Sequence, residues 1–224
     1  MLKSVIFDMD GVLVNSEPLH YQAFVRTLAQ WGKCLTYEEY KKYIGTTNAV
    51  ICEGLVKTYD LPVTPEEFNE IMKKHKADVY AEVGYPGIPG VPEMLRSFKE
   101  AGYTMAVASS SPYENIVKTT KELGIHEYFD QLVSGESVEH PKPAPDVFLK
   151  AAKALGTAPE ECLVVEDSCH GVHAAKNAGM PSIGFINSDS GDQDLSCATR
   201  QTRDFHEVDA SYAEEVYKIW KNRQ

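Results

Sequence analysis

Residues 3–11, KSVIFDMDG, form an apolar run that stops on two carboxylates, Asp8 and Asp10, followed by a glycine, Gly11. The run is short and lacks polar alternation. That is the pattern of a strand buried on both faces, as in a parallel sheet. The same design recurs in YTMAVA (103–108), QLVS (131–134), CLVVE (162–166) and SIGFI (182–186). Helical periodicity fills the gaps at 91–101, 113–123, 146–155 and 172–178. Gly102, Gly124, Gly156 and Gly179 then stand where C-cap glycines belong. Strands alternating with helices through right-handed crossovers predict an α/β fold built on a doubly wound, mainly parallel sheet.

The stretch after the first strand reads differently. Residues 15–84 carry helical patterns at 18–31, 36–44, 49–59 and 65–80 with no convincing strand, and Thr36 and Thr64 precede Glu-rich first turns suited to N-capping. The expected division is an α/β core from 1–14 and 85–224 and an inserted helical cap from 15–84. GYPGIPG (84–90) would be the return linker. Residues 187–200 are polar and unpatterned, which reads as a surface loop, and a closing helix is expected from Ser211 to Lys221.

Composition narrows the function. With 224 residues there is chain enough for a large core, and a net charge of −11 argues against a nucleic-acid partner, which would meet a basic face. No apolar run approaches the roughly 18–20 residues that span a bilayer, so no membrane partner is expected. Acidic residues come too early at the N-terminus for a secretory signal. The five cysteines are scattered, without a CxxC pair, which fits reduced thiols in a cytoplasmic protein. A monomer or weak dimer is expected.

Chemistry-bearing residues gather at the predicted strand ends, where open α/β sheets bind ligands. Along an extended segment Asp8 and Asp10 point to the same side, with Met9 opposite. Paired carboxylates repel and favour a shared proton or a bound cation. A hard cation such as Mg²⁺ takes few carboxylates, some waters and a substrate phosphate, and an aspartate can itself attack phosphorus. The alternative is a plain acidic turn. Ser109, Ser110 and Ser111 precede Pro112 and a helix, where hydroxyls and backbone N–H groups can cradle phosphate or simply cap the helix. In HPKPAP (140–145), prolines bracket Lys142, which can offset charge on a phosphoryl group in transfer. Glu166 and Asp167 close another strand with a second acidic pair.

Four motifs in this order, FDMDGVL, VASSS, HPKPAPD and VVEDS, make the chain resemble the haloacid dehalogenase superfamily of hydrolases. The likeness is greatest to the branch holding β-phosphoglucomutase and small sugar-phosphate phosphatases. The resemblance implies a Mg²⁺-dependent phosphatase of a small phosphorylated metabolite. Asp8 would be the nucleophile and Asp10 the general acid/base, with Ser109, Ser110 and Lys142 on the phosphoryl group. Mg²⁺ would be held by Asp8, the Asp10 carbonyl and Asp167, with Glu166 in or beside that set. The helical insert would cover the site.

The alternative within the branch is a phosphosugar mutase, which must grip a second phosphate with extra cationic side chains. The positions where those charges are expected hold Asn48, in GTTN after Gly45, and Pro112, which favours a singly phosphorylated substrate. Ser16 and His20 match positions that link the cap hinge to the general acid, so His20 and Asn48 are candidate substrate contacts. The run Lys73-Lys74-His75-Lys76 reads as a solvated helix face, and His170 and His173 as helix-surface or supporting histidines.

Overall fold

The computed structural model describes residues 1–44 and 46–223; Gly45, a landmark of the GTTN stretch, lies outside them. The chain builds one parallel sheet of strands β1 (Ser4–Phe7), β2 (Thr104–Ser109), β3 (Gln131–Ser134), β4 (Cys162–Glu166), β5 (Ser182–Phe185) and β6 (Arg200–Thr202). Their order is β3-β2-β1-β4-β5-β6. β1 is therefore central, paired with β2 through Phe7↔Val107 and with β4 through Phe7↔Val165. The chain runs outward from β1 to β3 on one side, then crosses back and runs outward again from β4. This places the topological switch between the carboxyl ends of β1 and β4, where Asp8 and Asp167 emerge.

Both faces of the sheet are covered, which explains the unbroken apolar strands. Val5, Phe7, Val107 and Val165 face a cluster completed by Met94, Leu95 and Phe98 of α5 (Val91–Glu100), Ile116 of α6 (Tyr113–Glu122) and Val216 of α9 (Ala210–Lys221). Ile6, Ala106 and Val164 face the opposite side, against Phe148 and Ala151 of α7 (Asp146–Leu155) and Ala174 of α8 (Cys169–Asn177). Each strand supplies alternate residues to the two layers. A single apolar-to-polar change in β1 therefore puts an unpaired group into one core or the other.

Helices α1 (Glu17–Ala29), α2 (Tyr37–Lys41), α3 (Asn48–Tyr59) and α4 (Pro65–Val83) enclose an apolar cluster of their own, with Phe24, Leu28, Tyr40, Leu55, Phe68 and Met72 at its centre. Thr36 and Thr64 each make a full capping box, with Glu39 and Glu67, as their spacing predicts. The second helix is shorter than the 36–44 read from periodicity. α8 is longer at its start than expected, because Ser168 accepts the Gly171 amide and caps a helix that opens at Cys169.

The largest correction concerns residues 187–200. Asn187, Ser190, Leu195 and Ala198 are buried, and the segment leads into the edge strand β6. Asn187 and Ser190 turn inward, toward the first strand's acidic turn, while Ser188, Asp192, Asp194 and Ser196 stay exposed, so the segment is a loop with one buried side. Among the described residues no helix is long and apolar enough to cross a membrane.

Candidate active site

The carboxyl ends of β1 and β4 and the segment after β3 bring charged side chains to one place. Lys142, carried in the segment between β3 and α7, donates from Nζ to Asp8 Oδ1 at 2.6 Å and to Glu166 Oε1 at 2.8 Å. Its ammonium also lies 4.7 Å from the centre of the Phe148 ring. Glu166 is only 1% exposed, and its second oxygen accepts the Ser168 amide and hydroxyl. A side chain on Gly171, one turn into α8, would collide with this carboxylate, so the glycine is what lets Glu166 lie flat under the helix.

Asp167, the next residue, turns the other way. Its Oδ2 accepts the Ser190 hydroxyl and lies against Gly11, where φ is +82° and a Cβ would strike the same oxygen. Gly11 is thus required twice, for its backbone angle and for its missing side chain. Asp10 sits between two hydroxyls. Ser16 Oγ donates to Oδ1 at 2.7 Å and Ser111 Oγ to Oδ2 at 2.9 Å, one from the start of the helical insert and one from the serine loop.

The electrostatics follow from burial. Loss of water is the main reason the Asp8 carboxyl is pushed up to about 7; Glu166 and Asp10 add to it, and Lys142 opposes it. Asp167 is raised well above the ordinary carboxylate range, again chiefly by burial, then by Glu166 and Asp8. Burial alone would lower the Lys142 pKa, but Asp8 and Glu166 outweigh it and hold the ammonium above its ordinary value. Three buried carboxylates thus face one buried ammonium. With all three ionised the deficit is two positive charges, and each uncompensated buried ion costs several kcal/mol, which is why Asp8 and Asp167 hold their protons more tightly in the absence of a cation. A single divalent cation would remove it, and oxygen-only donors suit Mg²⁺. Among the described residues no three His, Cys, Asp or Glu side chains converge to chelate a metal unaided. The expected set draws only two carboxylates and a backbone carbonyl, so the donors present fit that arrangement. Glu166, placed in or beside the metal set by the resemblance, has both oxygens engaged by Lys142 and Ser168; it holds the lysine.

Two cavities meet at Asp10. One, of about 220 Å³, is lined by Asp8, Asp10, Lys142, Glu166, Asp167 and His170 among others. The other, of about 530 Å³, is lined by Asp10, His20, Asn48, Lys76, Tyr80, Tyr85, Ser110, Ser111 and Lys118 among others. His20 and Asn48, named as substrate contacts, therefore lie on the second cavity with Ser110. Ser109 lies on neither. β2 continues through residue 109, so the pleat turns its side chain inward, where it accepts the Ser111 amide at 3.0 Å. The first turn of α6 has no side-chain cap, so these serines do not serve that role. His20 Nε2 is buried without a partner, and burial with nearby Lys76 drives its pKa down to about 3.

Three participants were not foreseen. Ser111 was one of three equivalent serines. Ser190 lay in a segment without pattern. Lys76 was read as part of a solvated face, yet it is half-buried, and burial lowers its pKa against the pull of Asp10 and Glu17. A signal existed for it: Met72 and Val79, four before and three after, are both buried and share its helix face. His173, by contrast, closes a local contact to the Cys169 carbonyl, a supporting role.

A sequence profile of haloacid dehalogenase-like hydrolases matches residues 5–185. A phosphorylated carbohydrates phosphatase from Thermotoga maritima is 33% identical over 84% of this chain and 87% of its own. Fructose-1-phosphate phosphatase YqaB of Escherichia coli is 28% identical over 80% of this chain and 94% of its own. The crystal structure of CbbY from Rhodobacter sphaeroides in complex with phosphate superposes with a TM-score of 0.79 at 26% identity, covering 96% of this chain and all of that one. The chain belongs to the haloacid dehalogenase-like hydrolase family.

Proposed function

We propose that this chain is a Mg²⁺-dependent phosphatase of a small phosphorylated carbohydrate, working through an aspartyl-phosphate on Asp8, with residues 15–84 as a cap over the site. The observation that carries the reading is the buried cluster of Asp8, Glu166 and Asp167 around one ammonium, at the switch point of a parallel sheet. The names of the curated relatives support a phosphorylated carbohydrate as the substrate class.

Lys142 engages Asp8 Oδ1, and no protein donor reaches Oδ2 among the described residues, which leaves that oxygen free to attack phosphorus. As its bond to phosphorus forms, the bond to the leaving oxygen breaks and Asp10 supplies the proton. Water then attacks the aspartyl-phosphate while Asp10 takes its proton. The bond from phosphorus to Asp8 breaks and inorganic phosphate leaves. Ser16 and Ser111 hold Asp10 in place through both steps, and Lys142 offsets charge on the phosphoryl oxygens. Asp8, Asp167 and the Asp10 carbonyl would hold Mg²⁺, which when bound supplies Lewis-acid neutralisation of the same charge.

A mutase is the second reading, and one feature favours it. The cations absent at 48 and 112 have counterparts in Lys76, from the helical insert, and Lys118, from the core, which line one cavity with Asp10. Incubation with sugar monophosphates, with and without Mg²⁺, separates the readings. The expected result is metal-dependent release of inorganic phosphate, lost in Asp8→Asn. Isomerisation without net release would favour the mutase, and inactivity on every phosphate ester would sink both.

A further inference from the structure

Asp167 is buried, yet among the described residues its carboxylate receives one side-chain hydrogen bond, from Ser190. That donor belongs to no motif and lies 23 residues downstream. We propose that Ser190 is a positioning residue for Asp167, held in register by the segment 187–193, and that it sets how well the site holds a divalent cation. The proposal rests on the reading of Asp167 as a cation-holding carboxylate.

The segment is anchored on every side that matters. Asn187 Nδ2 donates to the Gly11 carbonyl at 3.0 Å, so the residue that fixes the loop also grips the turn carrying Asp8 and Asp10. Gln193 donates to the Ser190 carbonyl and accepts the Cys169 amide, both at 3.0 Å, tying the loop to the first turn of α8 just past Asp167. Asn15, where the helical insert begins, donates to Asp189 at 2.7 Å, and Lys41 of α2 lies 3.4 Å from Asp192. Asp167 Oδ2 is thereby wedged between the Gly11 backbone and the Ser190 hydroxyl. With one oxygen fixed, the carboxylate lines the same cavity as Asp8. A ligand carboxylate held this way keeps its orientation when empty, and loss of such a supporting partner typically weakens metal affinity by about 10–100-fold.

The test is calorimetric titration of the full chain with Mg²⁺ or Mn²⁺, on the wild type, Ser190→Ala and Ser190→Thr. Cation affinity is expected to fall by about 10–100-fold in Ser190→Ala and to return within about threefold in Ser190→Thr, which keeps a hydroxyl. Thermal melts of the cation-free proteins accompany the titrations. An affinity loss in a variant that melts with the wild type supports positioning. Unchanged affinity in Ser190→Ala, or equal loss in Ser190→Thr, overturns it while leaving the phosphatase reading standing. Failure of the wild type to bind either cation would overturn the cation site itself, and this inference with it.

Discussion

Asp8 and Asp10 stand two residues apart on the same turn and are held by opposite means. Asp8 is buried against an ammonium, whereas Asp10 is half-buried between two hydroxyls that come from different parts of the chain. That difference suits one to nucleophilic attack and the other to proton transfer. Asp10→Asn is expected to cut kcat by about 10²–10⁴-fold while leaving cation affinity within a few-fold, measured by steady-state kinetics and titration. The raised Asp8 pKa makes a second prediction, with a definite sign. In cation-free protein the folded state holds a proton on Asp8 up to about pH 7, while the unfolded chain releases it near the ordinary carboxylate value of 3.8. Between those values the folded state binds more protons, so stability falls as pH rises through that window. Asp8→Asn removes the penalty. Its melting temperature relative to wild type should climb from about pH 4 to about pH 7 in chelator, and a flat difference would refute the burial argument. The acidic pairs were legible because they close strands, and Lys142 because prolines bracket it. Ser16 was legible through the resemblance and does meet Asp10; Ser111 and Ser190 were not, since they are chemically ordinary until the fold brings them to a carboxylate.

Two elements illustrate what local rules do and do not govern. The capping boxes at Thr36 and Thr64 form as their three-residue spacing dictates, because they need only neighbours in sequence. Thr64→Ala should cost about 0.5–2 kcal/mol of stability by denaturant titration and leave kcat unchanged, since Thr64 lines neither of the cavities that meet at Asp10. The turn at Gly11 obeys a longer-range demand. Gly11→Ala forces a Cβ into Asp167 at a positive φ, so it should lower cation affinity as well as stability, by at least about 1–3 kcal/mol for the backbone strain alone. A titration finding normal affinity in Gly11→Ala would show the turn to be looser than drawn. The segment 187–200 is a loop, as its lack of pattern suggests, but only part of it lies at the surface that its polarity implies. Here Asn187 and Ser190 are bound to the Gly11 carbonyl and Asp167 instead, while their polar neighbours do face solvent.

At the scale of the molecule the site is a seam between two packed bodies. The sheet supplies the buried charges, and the helices of 17–83, packed on their own apolar cluster, bring His20 and Lys76 to the far side of Asp10. Lys118 of the core meets the same cavity, its ammonium 5.8 Å from the Tyr85 ring centre. A substrate with a second anionic group would be gripped from both bodies at once. Lys76→Met and Lys118→Met should then raise KM for sugar bisphosphates by about tenfold more than for monophosphates, since charge-assisted hydrogen bonds are worth about 1.5–3 kcal/mol. Equal effects on both substrates would mean that the two lysines do not read a second charge.

The order of strands and helices as far as β5, the helical insert and the four motifs are written in the chain, because periodicity and strand-end chemistry are properties of neighbouring residues. Which serine meets which carboxylate, that Glu166 serves Lys142, and that Lys76 is turned into a cavity depend on contacts between segments up to 101 residues apart. Such contacts exist only after the apolar faces have packed, since no local preference encodes a partner that arrives from another strand.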